Sequence, residues 1–301
     1  YENCGRVLLG EYCIHAHWKA TFGIHVNSIA TNATNGKVVT IHSTSDSVVE
    51  NSVMFNHRGA MIYFENGAEH DNLIQGNFIA CEQPAHLSNG KCALEDGVSG
   101  QSDADYGEQS AIYGLSAGAA DIVGNRIVGG DNAHFWNQAG KTTGQDRALG
   151  KVAAKATQGG RFDYNVIHDV FGFSWYANLH APMQLELNSN GYIDQDWGKA
   201  CMYSVDGTDN SGVYAANHNI EYHSDFGFGG YMALQISMQN YTSIESLKPL
   251  YLKTYYRSLG TAPYVDGAVF RGFRDSPQLP GGHGLVELKD VVFDYQKLKI
   301  K

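Results

Sequence analysis

Positive charge is scarce in this chain. Lys and Arg number 21 against 31 Asp and Glu, a formal net charge of −10. That balance argues against nucleic acid as a partner, because neutralising phosphates takes a surplus of basic side chains. It also disfavours docking on anionic lipid. Long apolar runs are missing as well: no window approaches the ~18 consecutive apolar residues of a membrane span. Proline is rare, six residues against 35 glycines, which favours many tight turns over a disordered linker. Five cysteines are too few for a disulfide-dominated mini-fold, and none has the CxxC spacing of a zinc knuckle. No G-x-S-x-G or phosphate-binding loop appears. Position 1 is Tyr with no secretory leader before it, so the sequence is expected to be a mature protein or a slice of a longer one.

What is present belongs to an ordered protein: 43% hydrophobic and 12% aromatic residues in a chain of 301, enough to bury a large core. Its strongest signal is periodic. Asn27-Ser-Ile29, Ser52-Val-Met54 and Asn77-Phe-Ile79 begin at the evenly spaced positions 27, 52 and 77. Asn125-Arg-Ile127 follows close to two further periods on, and Asn165-Val-Ile167 after another interval. Each closes a short β-like run, and a second run precedes several of them, as in "VVTIHS" (38–43), "AMIYFE" (60–65) and "SAIYGL" (110–115). Short runs punctuated by Gly, Asn and Asp do not read as helices. Two or three short strands per rung, at a period of about 25, describe an all-β, right-handed parallel β-helix. It would be a solenoid of the pectate-lyase kind, whose Asn side chains pair from rung to rung. A β-sandwich has strands of this length but no reason to keep the register. The reading is one β-helix domain over 1–301 with two loop insertions, 82–109 and 138–160; an Ala/Lys segment in the second could form a short helix. Beyond about residue 190 the period weakens, although "GLVELKDVVFD" resembles a last rung.

Histidines concentrate near the start, in "GEYCIHAHWKATFGIHVNSIATN" (10–32). One period places His17 beside His42, His15 beside Thr40, and Thr40 beside Glu65. Even separations share one face of a strand, so His15, His17, His42 and Glu65 form one patch. If Ile14, Ile41 and Phe64, of opposite parity, fill the core, that patch faces outward. Three imidazoles and a carboxylate could ligate a divalent metal, transfer protons near neutral pH, or stack as a structural ladder. These three readings stay open. Asp103-Ala-Asp105-Tyr-Gly107 resembles a calcium loop but lacks its twelfth-position Glu, which favours a solvated acidic loop. Phe135, Trp136, Trp175, Tyr176 and Trp197 could line a sugar-stacking cleft, with Trp136 and Trp175 the candidate binding residues, or fill the core. Cys4 and Cys13 bracket a short stretch, Cys81 and Cys92 a polar loop whose closure would stabilise by roughly 2.5–3 kcal/mol. Cys201 is left as a buried thiol. The triplets at Asn32 and Asn240 fit N-glycosylation acceptors, and together these lean extracellular.

The stretch 5–80, with "GRVLLGEYCIHAHW", "VVTIHS" and "AMIYFENG", resembles the β-helix shared by fibrocystin and the cell-migration-inducing and transmembrane hyaluronidases. The family pattern of His-x-His, then Thr-x-His, then Glu-Asp-Gly matches His15/His17, Thr40/His42 and Glu65-Asn66-Gly67, with Asn66 standing where the pattern has Asp. "GAADIVGNRIVGGDNAHFW" resembles a later rung of the same family, and the loop between Cys81 and Cys92 falls where it carries a Cys-bounded insertion. The resemblance implies an extracellular or cell-surface module that binds polysaccharide and, in its hyaluronidase members, cleaves it, here through His15, His17, His42 and Glu65. The alternative it implies is a non-catalytic stalk or filament building block, for which a β-helix end permits end-to-end association.

Overall fold

The computed structural model describes residues 2, 4–5, 11–17, 22–34, 36–57, 59–65, 69–82, 110–115, 120–130, 132–137, 160–170, 174–179, 184–206, 213–231, 235–253, 264–273 and 287–295. Among them there is no helix, and every named strand pairing is parallel. The chain winds as a parallel β-helix. Each full coil lays down three short strands, as in Ile14–His17, His25–Asn27 and Ala30–Asn32, and the next coil repeats them alongside. The middle strands stack into a ten-stranded sheet; the other two columns form a 17-stranded sheet. Two long strands, Gly191–Asp206 and Ile220–Tyr231, run through both of those columns and so join them. No helix of the described residues is long and apolar enough to cross a membrane.

The sequence alternates because one side of each strand faces a closed interior. Val26, Val49, Ile74, Ile122, Phe162 and Leu187 lie one above another in the middle sheet, each buried. Their neighbours in sequence, such as His25 and Asn27, are exposed. Adjacent coils lie about 4.8 Å apart, so each interior position touches its own kind above and below. This explains how single apolar residues flanked by polar ones suffice for a core.

A tight turn after the middle strand fixes the register. One residue there takes positive φ on each coil: Asn51 (51°), Gly76 (62°), Gly124 (65°), Tyr164 (56°), Ser189 (56°) and His218 (57°). The next residue turns inward, and these residues form the ladder Ser52, Asn77, Asn125, Asn165, Asn190, Asn219, all buried. Asn125 Nδ2 donates to Asn165 Oδ1 (3.1 Å) and to the Ile74 carbonyl (3.0 Å), while its Oδ1 accepts from Asn77 Nδ2 and the Asn77 amide (3.0 Å each). Asn165 repeats the arrangement with Asn190, and Asn190 with Asn219.

Several sequence expectations shift by two residues or by a coil. Asn27 is not in the ladder: it pairs with Glu50 and is exposed, and the residue above Ser52 is Ile29, whose amide donates to Ser52 Oγ (3.3 Å). This coil's connection is shorter than the regular one, which moves the register. The interval from Asn77 to Asn125 is one coil, not two, since the two side chains bond directly. Residues 83–109 and 138–159, where both insertions are expected, lie outside the described residues. The solenoid also persists past 190. Strands Thr242–Ile244, Lys248–Lys253, Val269–Phe273 and Val292–Tyr295 continue the same columns. The period fades there because the step between coils becomes uneven, with Gly191 beside Ile220, Ile220 beside Thr242 and Thr242 beside Val269. After Asn219 the ladder position also changes to Tyr241 and Ala268, which fill the interior.

Candidate functional site

The histidine patch is built on the first three strands of one column: Ile14–His17, Val39–His42 and Ile62–Phe64. His15 pairs with Thr40 and His17 with His42, as the spacing predicts. Glu65 departs from it. Thr40 lies beside Tyr63, so Glu65 follows one position past Phe64 and falls beside His42 rather than beside Thr40. The shorter step between these strands causes the shift, and it draws the carboxylate closer to the imidazoles. Glu65 Oε2 lies 3.3 Å from His42 Nδ1 and 3.7 Å from His15 Nε2. The Glu65 amide is anchored to the Ile41 carbonyl (3.0 Å).

Ile41 and Phe64 fill the core, so the four site residues do face away from it. That outward face is not bare, however. Thr40, Tyr63 and Tyr113 stand on it and are fully buried, the two Tyr rings stacked at 5.6 Å. The Lys37 ammonium sits over the rings of Tyr12 (5.3 Å) and Tyr63 (4.8 Å), a cation–π sandwich. The patch therefore lies at the margin of a covered region. His15, His42 and Glu65 side chains are 21%, 17% and 13% exposed, whereas His17 is open to solvent.

Burial is the main influence on Glu65 and pushes its carboxyl up to about 7; the Lys37 charge opposes that rise and Glu69 adds to it. Glu69 is itself buried and accepts the Ser43 amide at 2.9 Å. At neutral pH Glu65 can thus either hold or give up a proton. The His15 and His17 rings meet edge to face at 4.9 Å, His17 and His42 at 4.7 Å. One ligand nitrogen from each of the three lies within 4.8 Å of the others. The arrangement can exchange protons, hydrogen-bond a polar ligand, or hold a metal ion.

Tyr12, Lys37, Tyr63 and Glu69 surround the site, and sequence reasoning passes over all four. A lone Lys at the head of "KVVTIH" is the available signal: a charge directly before a run of core residues needs a partner. Of the aromatic candidates, Trp175 belongs to the hydrophobic core at 2% exposure, because its parity on Trp175–Leu179 points it inward; it presents no face to a sugar. The side chains of Phe135, Trp136, Tyr176, Trp197 and Cys201 lie outside the described residues, as does the 103–107 loop. Cys4 and Cys13 are joined, close before His15 in the chain. Cys81 is also disulfide-bonded, and Cys92, its expected partner, lies outside the described residues. Asn32 and Asn240 are both exposed.

The CEMIP beta-helix family matches residues 1–174, more than half of the chain and all of the site. The chain belongs to that family. It is also similar to Fibrocystin-L of Homo sapiens, 26% identical over 180 residues, and to Fibrocystin-L of Mus musculus, 25% identical over 180 residues. Each alignment covers 58% of this chain and 4% of the relative, so the chain spans a small fraction of those curated proteins. No solved structure matches it. The family assignment accords with the observed β-helix, and the site strands lie within the matched region.

Proposed function

We propose that this β-helix is an extracellular module that binds polysaccharide at the His15, His17, His42 and Glu65 patch and cleaves it there. The observation that carries the reading is the convergence of Glu65 Oε2 on two imidazoles at the solvent margin of the outer face. A structural ladder repeats one residue type; here the type changes along the column, from His17 and His42 to Glu65. Scission of a glycosidic bond requires a proton donor to the leaving oxygen, a role that a carboxyl pushed up to about 7 can fill. A long solenoid face suits an extended polymer, and the disulfides at Cys4–Cys13 and Cys81 fit an oxidising compartment.

The test is a panel of anionic and neutral glycans incubated with the purified chain, with binding and product size measured. Wild-type protein is expected to shorten at least one of them, and His42→Ala to abolish that cleavage. A folded wild type that neither binds nor shortens any glycan overturns the proposal and leaves a non-catalytic stalk or filament unit as the function.

A further inference from the structure

The geometry points to a transition-metal site: we infer that His15, His17 and His42 bind one ion of the zinc, copper, nickel and cobalt group through their imidazole nitrogens. The inference takes its location from the site proposed above but does not depend on glycan being its substrate.

Two of the ligands are fixed by strand geometry. His15 and His17 are two residues apart on Ile14–His17 and so project from the same side of the strand. His42 is the direct partner of His17 on the next coil. The backbones beneath them are held by parallel pairing, with the Ile14 amide donating to the Val38 carbonyl at 2.9 Å and the Cys4–Cys13 bridge just upstream. Donor nitrogens within 4.8 Å of one another are close to the requirement. Around a tetrahedral ion with bonds of about 2.0–2.1 Å, ligand atoms sit roughly 3.3–3.4 Å apart. Side-chain rotation alone covers that difference; the sheet need not move. His17, the exposed member, supplies the freedom to close.

The donor set selects the metal class. Imidazole suits zinc, copper, nickel and cobalt, whereas calcium and magnesium require mostly oxygen ligands. Glu65 supports the same assignment from behind. Its carboxylate faces His42 Nδ1 at 3.3 Å, which leaves Nε2 of that ring for an ion, the arrangement in which an outer carboxylate orients a ligating histidine. Lys37 is the opposing charge nearby, but its ammonium is held over the Tyr12 and Tyr63 rings, and Glu65 and Glu69 offset it. Three protein ligands and an opening on the His17 side leave a fourth position for water or a ligand oxygen.

Tag-free, chelator-treated protein would be titrated with cobalt(II) chloride, followed by visible absorption, and with zinc chloride by calorimetry. The expected result is saturation at one equivalent per chain, a tetrahedral cobalt spectrum, and no displacement by excess calcium chloride. His17→Ala, at an exposed position that leaves the fold intact, is expected to abolish that stoichiometric binding, and Glu65→Gln to weaken it roughly 10–100-fold. Absence of a saturable equivalent, or binding unaltered in His17→Ala, overturns the inference. Glycan binding by the metal-free protein is scored separately. Metal binding without any glycan interaction sinks the proposed function alone; glycan binding without metal uptake sinks this inference alone.

Discussion

Two columns of polar side chains run along this β-helix, and they are built in opposite ways. The turn ladder from Ser52 to Asn219 is buried and nearly uniform, and its amide side chains bond one another at 2.9–3.2 Å. The histidine column changes residue along its length, is only partly buried, and places a charge-bearing carboxyl beside imidazoles without the regular amide geometry. A repeated side chain satisfies itself, because each copy offers the donor and acceptor that the next one needs. A mixed column gives up that regularity. On the function proposed above, what it gains is chemistry, so that similar stacking would serve stability in one place and reactivity in another.

The largest effect should come from breaking the uniform column at its centre. Asn125→Ala leaves the Asn77 amide, Asn77 Nδ2 and the Ile74 carbonyl without their partner in a buried turn. With each stranded group worth about 1–3 kcal/mol, and some relaxation, the loss should be roughly 3–5 kcal/mol by urea denaturation. Asn27→Ala is the control. Asn27 shares the repeat motif but is exposed, its Nδ2 donating to Glu50 Oε1 at 2.8 Å, so its loss should stay under about 0.5 kcal/mol. Equal losses at the two positions would mean the ladder is not a distinct stabilising element.

Those two asparagines also mark how far the sequence can be read. Period and residue type announce the solenoid, because a β-helix repeats the same interior demand at each coil. Alignment by spacing alone then puts Asn27 into the ladder and Glu65 beside Thr40. A slightly shortened coil looks like a regular one until the turns are seen, and an error of two positions keeps the strand parity while changing the neighbour. The pairing of His17 with His42 is legible because that coil keeps the regular step. Asn190 and Asn219 escape notice since the apolar runs around them are weaker, although each follows a second asparagine by two positions, Asn188 and Asn217. The covering of the outer face by Tyr12, Lys37 and Tyr63 depends on long-range packing, which no local spacing encodes.

A second, smaller effect should separate the columns by pH. The Glu65 carboxyl is raised from 4.5 to about 7 in the folded chain. A folded pKa above the unfolded one means this group's contribution is fully present below about pH 4.5 and is lost as the pH rises through about 7. For a group this buried the loss should be roughly 2–3 kcal/mol. Glu65→Gln carries no such titration. Relative to wild type, the variant should gain that amount between about pH 5 and pH 8 in chelated protein, measured by urea denaturation. Lys37, Glu69, His15 and His42 face the group in both proteins. Asn125→Ala should show no comparable pH dependence, since nothing in its ladder ionises.

The smallest effect on stability, and the sharpest on the comparison, belongs to His17. Its ring is exposed and touches the patch through edge-to-face contacts with His15 and His42 at 4.9 and 4.7 Å. Removing an exposed ring of this kind should change stability by less than about 0.5 kcal/mol. If the histidine column exists for a ligand, His17→Ala should nonetheless remove metal uptake and impair glycan cleavage, because the outermost donor closes the site. Function and stability would then respond independently, the reverse of Asn125→Ala, in which only the fold suffers. Thermal and urea denaturation of His17→Ala beside its cobalt titration decide the matter. A variant that loses about 2 kcal/mol in the absence of metal, the size set by one stranded buried polar group, would place the histidines with the asparagines as a structural ladder. A variant of wild-type stability that no longer takes up cobalt would separate them.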